Sequence, residues 1–439
     1  MTSPVITEQK FDGKTIRFSR PSLLDQILGY GPFVLLLFGP LAFGTVSPFP
    51  IFVLEAGSAC LFLLWAFLQV KSGELSISWN PVFAPMLAFL CLIALQLISR
   101  HSAYRQATYS EGLLYVAYGL LSFLIVQTLR RTSKLRILAI AVSIYGFAIA
   151  VFALLQSVSS EGKLYWTVIP RNGGWIYGPY VNHNHYAGLM ELLIPIPIVA
   201  ALTHFPSRSG RRLAIISAAV MAATLFLSGS RGGMIAFLGE LTVLAFFLIK
   251  QNSKLKMNWI FGLFPIILIC LLAWLGGSEL TQRVSSIRAE TRTELAGGVR
   301  TQILRDGIQM FKQKPILGYG LGTFPDVYPQ FRSFYSELWI NEAHNDYLQL
   351  LIETGMLGFA IMLWFLWTMY SNALKKLPNW PDNLNGTLAL IAVMGCTGIL
   401  IHSFADFNLH IPANAAIFYV LCNLCAMEPG FRKTLHHRH

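Results

Sequence analysis

A histidine flanked by hydrogen-bonding residues stands at the start of one of the apolar runs of the sequence. Residues 342–347 read Glu-Ala-His-Asn-Asp-Tyr and lead into an apolar run at 346–371. If this run is a helix, its amino-terminal dipole disfavours the protonated form of His344. A neutral imidazole can accept a proton, as a general base must. The alternative is an interfacial histidine that only caps the helix.

An arginine beside two glycines occupies a comparable position. Residues 227–233 read Leu-Ser-Gly-Ser-Arg-Gly-Gly and separate two apolar runs, so that Arg231 begins the second run. Free backbone N–H groups at a helix start, next to a guanidinium and to glycines that permit close approach, suit a phosphate group. The alternative is an arginine that extends its charged end to lipid headgroups.

Two more polar clusters precede apolar runs. Residues 180–188 include Asn182, His183 and His185, and residues 402–410 form the second cluster. The paired histidines have no carboxylate or cysteine at the spacing that a metal site requires. We therefore favour contacts to sugar hydroxyls over metal binding at the first cluster.

The composition indicates the elements that must position these residues. Of the 439 residues, 54% are hydrophobic and 12% are charged, whereas soluble proteins carry roughly a quarter charged residues. A membrane-spanning helix needs about 20 mostly apolar residues. The sequence has twelve such candidate runs, at 27–47, 50–70, 82–98, 112–129, 135–157, 186–203, 213–228, 232–249, 259–276, 346–371, 387–403 and 412–427. We predict an all-α, polytopic membrane protein with about 12 transmembrane helices.

The positions of Lys and Arg predict the orientation of these spans. Basic residues concentrate in the amino-terminal segment, in alternate short loops and in the tail, and such loops face the cytoplasm. Both termini are then cytoplasmic, and all four polar clusters lie outside. The net charge of +12 reflects this loop asymmetry, so no nucleic-acid partner is expected. The predicted organisation is a cytoplasmic segment at 1–26, spans one to nine at 27–276, a large extracytoplasmic loop at 277–345, spans ten to twelve at 346–427, and a cytoplasmic tail at 428–439.

The large outer loop contains a predicted amphipathic helix. Apolar residues fall close to helical spacing, with charged residues between them: Val299, Ile303, Leu304, Ile308 and Phe311, with Arg300, Arg305, Asp306 and Lys312 interleaved. This pattern predicts a helix that lies on the outer membrane face. The glycines at 318, 320 and 322 follow it without the Gly-Lys-Ser/Thr of a nucleotide-binding loop, and we predict a tight turn.

The four polar clusters all precede or begin inward-running helices on the same side of the membrane. If these helix starts converge, their dipoles focus positive potential on one point at the outer leaflet. Arginines of the outer loop add to that charge, and arginine is preferred over lysine where a diphosphate is gripped by two hydrogen bonds. An anionic headgroup is the expected occupant.

Together these motifs resemble those of the O-antigen ligase and polymerase superfamily of bacterial polysaccharide assembly. The resemblance covers about 180–412 and rests on the histidine motif at 344–347 with Gly355 and Gly358, on the arginine motif at 230–233, on Arg300 in a helix that runs into 315–320, and on the clusters at 182–188 and 402–412.

The resemblance implies a GT-C-like membrane glycosyltransferase of the bacterial inner membrane that uses no metal and no other cofactor. Such an enzyme takes a glycan from undecaprenyl pyrophosphate at the outer leaflet and passes it to a hydroxyl of lipid A core or of a lipid-linked glycan. His344 is then the general base, and Arg231 and Arg300 bind the donor pyrophosphate. Further candidates for substrate binding are Arg305, Asn182, His185 and Asn345.

Other functions remain open at this point. A ligase, a polymerase and a protein-glycosylating relative share this chemistry, and the long outer loop favours a ligase. A secondary transporter or flippase also fits twelve spans, although transporters place more ionisable residues in mid-membrane. A glycosidase would need two carboxylates that flank the bond, and Glu342 and Asp346 instead straddle His344.

Overall fold

Long apolar helices form most of the fold, as the hydropathy of the sequence predicts. The computed structural model describes residues 7–11, 14–18, 22–73, 75–129, 132–169, 176–203, 207–250, 298–335 and 339–427. Its helices are α1 Leu23–Leu41, α2 Pro48–Ser72, α3 Phe83–Ile98, α4 Arg105–Thr128, α5 Thr132–Ser159, α6 His183–Leu193, α7 Pro195–Leu202, α8 Arg208–Leu227, α9 Arg231–Lys250, α10 Val299–Gln313, α11 Phe324–Val327, α12 Asp346–Lys376, α13 Leu384–His402 and α14 Pro412–Ala426.

The chain is a multi-pass membrane protein. Within the described ranges, nine helical segments are long and apolar enough to cross a membrane, with α6 and α7 together forming one of them. The shorter apolar helices α3 and α14 coincide with two further predicted runs. The predicted run at 259–276 lies outside the described residues, so the count of twelve spans stays a prediction.

Two local features depart from twelve uninterrupted helices. Strands β1 Thr7–Phe11 and β2 Lys14–Phe18 pair as an antiparallel hairpin ahead of the first helix, whereas the described membrane bundle is helical, as predicted. The sixth predicted run is divided into α6 and α7 at Pro195. Proline has no N–H to donate, and its ring crowds the carbonyl one turn earlier, so the helix restarts at that residue.

The centre of the bundle is formed by α6–α7 and α13. In α6–α7, 89% of the residues of the spanning window are buried, and in α13 67% are buried, compared with 17% in α2. Small residues of α13 permit this close approach, because a methyl group on Gly395 would lie 3.3 Å from the carbonyl oxygen of Glu191. The polar residues at the ends of α6 and α13 therefore meet in the interior, while α2 presents its apolar surface outward.

Helix α10 is amphipathic, but it packs on α12. Ile303 and Met310 are buried, and a methyl group on Gly307 would lie 3.0 Å from Leu348 and 3.1 Å from Ile352. Of the predicted apolar face, Val299 and Ile308 stay exposed. The prediction of a helix is confirmed, and its main apolar contact is with the first turns of α12.

Helix α12 is interrupted at Gly355, and the glycine-containing turn after α10 fills the interruption. Gly355 has φ 65° and ψ −168°. The N–H of Met356 donates to the carbonyl of Pro315 (2.8 Å), and the N–H of Gly320 donates to the carbonyl of Glu353 (2.9 Å). Backbone groups released by the break are thus paired by the turn, as an apolar bundle requires.

Gln96 of α3 fixes the same turn from the opposite side. Its Nε2 donates to the carbonyls of Leu317 (2.8 Å) and Glu353 (2.9 Å), and its Oε1 accepts from the N–H of Leu321 (3.2 Å). Gly318, Gly320 and Gly322 all have positive φ, in agreement with the predicted tight turn. The amino-terminal helices, which carry none of the sequence motifs, therefore supply a wall for the outer loop.

Gly355→Ala should strongly destabilise the protein. A Cβ at this position would lie 2.2 Å from the carbonyl oxygen of Ile316, and the positive φ alone costs an L-residue about 1–3 kcal/mol. Thermal unfolding of the purified protein in detergent measures the effect. Gly119→Ala in α4 is the control, because no atom lies within 4 Å of its added methyl group, and an equal melting temperature for both variants would contradict the prediction.

Candidate active site

The turn that joins α13 to α14 is the point where the predicted site residues gather. The ring of Phe407 packs edge to face against His185, with ring centroids 4.7 Å apart, and against His344, with centroids 5.1 Å apart. The guanidinium of Arg300 donates to the carbonyl of Ala405 at 3.2 Å. We call residues 403–411 the polar turn. Three predicted site residues from three different elements therefore contact it.

Asp406 is the buried acid of the polar turn. Nδ2 of Asn184 donates to its carboxylate at 2.5 Å, and Nε2 of His185 lies 3.7 Å from it. Burial alone would raise the pKa of the Asp406 carboxyl, but the neighbouring imidazoles of His185 and His402 hold this pKa well below its usual range. Asp406 is therefore an anion that orients the start of α6.

Asn414 in the first turn of α14 connects the start of that helix to the start of α6. Its Nδ2 donates to the carbonyl of His185 at 2.9 Å, and its Oδ1 accepts from the hydroxyl of Tyr180 at 2.8 Å. A methyl group on Gly188 would lie 2.1 Å from Oδ1 of Asn408. Only a glycine on α6 leaves room for the polar turn at this distance.

His344 is held in an unusual backbone conformation by contacts on both sides of it. Its φ is 52°, in the left-handed region that costs a non-glycine residue about 1–3 kcal/mol. On one side, the N–H of Ala343 donates to Oε1 of Gln349 at 2.8 Å. On the other, Asn345 caps α12 by accepting from the N–H of Leu348, and its Nδ2 donates to the carbonyl of Phe404. Such strain persists only where the surroundings enforce it, and it is frequent at functional sites.

Asp346 anchors the start of α12 to the polar turn. Its carboxylate accepts from the hydroxyl of Ser403 (2.7 Å), from Nδ1 of His410 (2.7 Å) and from the N–H of Leu409 (3.3 Å). The N–H of Asp346 donates to the carbonyl of Ser403 at 3.0 Å. The segment that carries His344 is thus held in place at Asp346, two residues after the histidine.

Arg231 begins α9, as the sequence predicts. The hydroxyl of Ser230 accepts from the N–H of Gly233 at 3.1 Å and so caps the helix start. A methyl group on Gly232 would lie 2.5 Å from the ring of His402, one residue before the polar turn. Arg231 is half-buried, and the helix that it begins packs against the residue that precedes the polar turn.

The remaining predicted residues have different surroundings. Asn182 caps α6 by accepting from the N–H of Asn184 at 2.8 Å, and His185 is buried. Arg305 is exposed on α10, whereas Arg300 donates to the carbonyl of Ala405. The structure thus favours Arg300 over Arg305 as the neighbour of the polar turn.

A second polar group lies beside the histidine motif. Gln349 hydrogen-bonds to Glu342 and, at 3.2 Å, to Glu353. Burial raises the pKa of Glu342 to about 7, although the charge of His410 opposes the shift. Burial alone would lower the pKa of His410, but the hydrogen bond to Asp346 and the nearby carboxylates raise this pKa to about 10. His410 is therefore an imidazolium at neutral pH.

The sequence reasoning gave no role to several residues of this site. Asp346, Gln349 and His410 hold the histidine motif, and the buried pair of Glu191 and His402 supports the start of α9. The available signal was polarity inside or next to apolar runs. A polar residue inside or next to an apolar run is costly to bury and needs a hydrogen-bond partner. Which residue becomes that partner depends on how helices far apart in the chain pack.

A cavity of about 100 Å³ lies between α3, α4, α12 and α14. Its walls are mainly apolar and aromatic, and they include Phe89, Tyr118 and Phe365. Asp346 and His410 line its polar part. An apolar space therefore adjoins the residues that hold the histidine motif.

Part of the chain matches a known protein family. Residues 216–363 match the family model described as O-antigen ligase. The matched range contains Arg231, Arg300 and His344, and it confirms the resemblance inferred from the sequence motifs. No curated protein matches the chain.

His410→Gln should remove a pH-dependent contribution to stability. The folded-state pKa of His410 is raised from 6.5 to about 10, so its stabilising effect is fully present below pH 6.5 and is lost as the pH rises through the higher value. The melting temperature of the wild type should therefore fall between these two pH values more steeply than that of the variant. His101→Gln, at an exposed loop position, should keep the wild-type slope. Parallel curves for wild type and His410→Gln would contradict the assignment.

Proposed function

We propose that the protein is a membrane glycosyltransferase with a lipid-linked donor, because residues 216–363 match the family model described as O-antigen ligase. It takes a glycan from undecaprenyl pyrophosphate and transfers it to a hydroxyl group of lipid A core. The reaction takes place at the outer leaflet of the bacterial inner membrane, and both termini of the protein are cytoplasmic. The distribution of Lys and Arg over the loops supports this orientation.

One observation carries the proposal. His344 and Arg300 both contact the segment 405–407, although 44 positions of chain separate them. A proton acceptor and a fixed positive charge therefore lie next to the same three residues. Arg231 begins a helix whose Gly232 lies against the ring of His402, three residues before this segment, and it supplies a second positive charge from another part of the chain.

The proposed reaction is a direct displacement. The acceptor hydroxyl transfers its proton to the imidazole of His344 while its oxygen forms a bond to the anomeric carbon of the donor. The bond between that carbon and the phosphate oxygen breaks, and undecaprenyl pyrophosphate leaves with the electron pair. Attack from the side opposite the leaving group inverts the anomeric centre.

Arg231 and Arg300 would stabilise the charge that develops on the leaving group. Preorganised positive groups act most strongly where charge appears in the transition state. A guanidinium can also donate two parallel hydrogen bonds to phosphate oxygens. This arrangement uses side chains of the protein as the counter-charge of the diphosphate and requires no metal or other cofactor.

The other predicted residues take supporting parts in the proposal. His185 and Asn182 lie at the start of α6 and offer polar groups to sugar hydroxyls, and Asn345 holds the backbone next to the base. Arg305 is exposed on α10, where it adds positive charge near an approaching anionic lipid. The apolar cavity beside Asp346 is a place for part of a lipid chain, as the lipid-linked substrates would need.

The acceptor is tested by a reconstitution experiment. Purified protein in nanodiscs is incubated with lipid-linked donor and lipid A core, or with donor alone. A product only with lipid A core supports a ligase, and chain extension with donor alone identifies a polymerase. Formation of a new glycosidic bond without an ion gradient excludes transport as the main function.

His344→Ala should lose most of the transfer activity. General base catalysis contributes about 10²–10⁴-fold to the rate, so kcat should fall by a factor in this range. His101→Ala, in an exposed loop, is the matched control and should retain wild-type kcat. Full activity of a correctly inserted His344→Ala protein would rule out the base assignment.

Arg231→Lys should lose activity even though the charge is retained. A lysine ammonium is a point charge and cannot reproduce the planar pair of donors that a guanidinium offers to a diphosphate. Removal of a comparable transition-state donor costs about 10²–10³-fold in kcat, and a loss approaching this range is expected. Arg212→Lys in α8 is the control. Equal kcat/KM for the donor in Arg231→Lys and wild type would exclude bidentate binding of the diphosphate by Arg231.

A further inference from the structure

A hydrogen-bonded pair of ionisable residues is buried directly beneath the start of α9. Nδ1 of His402, the last residue of α13, lies 2.7 Å from Oε1 of Glu191 in α6. The side chains are 1% and 0% exposed. Ionisable groups inside an apolar bundle are costly to bury and tend to have a function. The proposed chemistry uses neither residue directly.

The start of α9 rests on this pair without any side chain between them. A methyl group on Gly232 would lie 2.5 Å from Cδ2 and 2.6 Å from Nε2 of His402. A methyl group on Gly233 would lie 3.2 Å from Oε1 of Glu191 and 2.7 Å from Cβ of Ala187. The two glycines after Arg231 are therefore required by the pair below them as well as by the approach of a ligand.

The turn before Arg231 fixes where helix α9 begins. Gly229 has φ 79°, and Ser230 is fully buried with its hydroxyl bound to the N–H of Gly233. Arg231 thus follows a sharp turn and starts a helix whose first turn packs on the Glu191–His402 pair. A shift of the His402 ring would move the helix start and the guanidinium together.

The backbone of His402 also supports the other side of the site. Its carbonyl accepts from the N–H groups of Ala405 (2.8 Å) and Asp406 (3.1 Å). The carbonyl of Ala405 in turn accepts from Arg300. The side chain and the carbonyl of one residue therefore lie under Arg231 and under the segment that Arg300 contacts.

We propose that Glu191 and His402 are positioning residues that hold Arg231 in place for the lipid diphosphate. The hydrogen bond to Glu191 fixes the His402 ring. The ring in turn fixes the position at which the first turn of α9, with Gly232 and Gly233, packs. This inference rests on the proposed function, because it assumes that Arg231 binds the donor. It assigns a role to two residues outside the three-residue site, and one of them lies well inside a membrane-spanning helix.

The main test asks whether His402 acts through Arg231. His402→Ala should raise KM for the donor and lower kcat/KM by about 10- to 100-fold, because a misplacement of about 1 Å can cost roughly 10²-fold. KM for the acceptor should not change. In an Arg231→Ala background, His402→Ala should cause almost no additional loss. Losses that multiply in the double variant would show that His402 acts independently and would overturn the proposal.

Two milder variants cover the possibility that His402→Ala fails to fold. His402→Asn retains a donor near the position of Nδ1 and should keep part of the activity. Gly232→Ala should raise the donor KM in the wild type, since its methyl group meets the ring, but should cost little when combined with His402→Ala. Gly239→Ala on the same helix is the control, because its methyl group meets the flexible end of Ile401. An unchanged donor KM in Gly232→Ala would contradict the proposal.

A binding measurement separates this proposal from the proposed function. Binding of undecaprenyl pyrophosphate to the purified protein in nanodiscs is measured by native mass spectrometry. Binding by the wild type and weaker binding by Gly232→Ala and His402→Asn are expected. Binding that is equal in all three proteins would overturn the positioning role alone. No binding by the wild type would overturn the proposed function and the positioning role with it.

Discussion

The structure depends on one constraint: a polar group inside an apolar bundle must find a partner within the protein. Neither lipid nor a packed hydrocarbon interior can hydrogen-bond a backbone group or solvate a carboxylate. The polar turn satisfies this constraint for several helix starts at once. Asp406 accepts from Asn184, and Asp346 accepts from Ser403 and His410. The same bonds that make burial tolerable hold the start of α6 and the start of α12, which follows His344, against the polar turn.

The interruption of α12 follows the same constraint. A helix broken at Gly355 would leave carbonyls and N–H groups unpaired in the bundle, and the turn around Gly320 pairs them instead. Gln96 completes the arrangement from α3. The outer loop is therefore joined to α12 by backbone hydrogen bonds, and α10 with Arg300 is tied to the helix that begins just after His344.

Hydropathy alone predicted the helices of the described ranges, since each predicted apolar run there is helical. A run of this length pairs all of its backbone groups within a bilayer by forming a helix. The break at Gly355 and the burial of Ile303 and Met310 against α12 were not predictable, since both depend on contacts between segments far apart in the chain. For the site, the sequence motifs predicted Arg231 and Arg300 at helix starts, where the structure places them, while their roles stay predictions. The pairing of Glu191 with His402 was not foreseeable, since 211 positions of chain separate them and their meeting depends on the packing of α6 against α13.

The backbone pairing between the outer loop and α12 has a consequence for how the length of the chain can vary. One residue added or lost between Lys314 and Gly322 would shift every N–H and carbonyl that meets the interrupted helix, as a register slip does in a sheet. Surface connections without such pairing accept insertions at small cost. Relatives of this protein should therefore differ in length elsewhere in the outer segment while this stretch keeps its residue count.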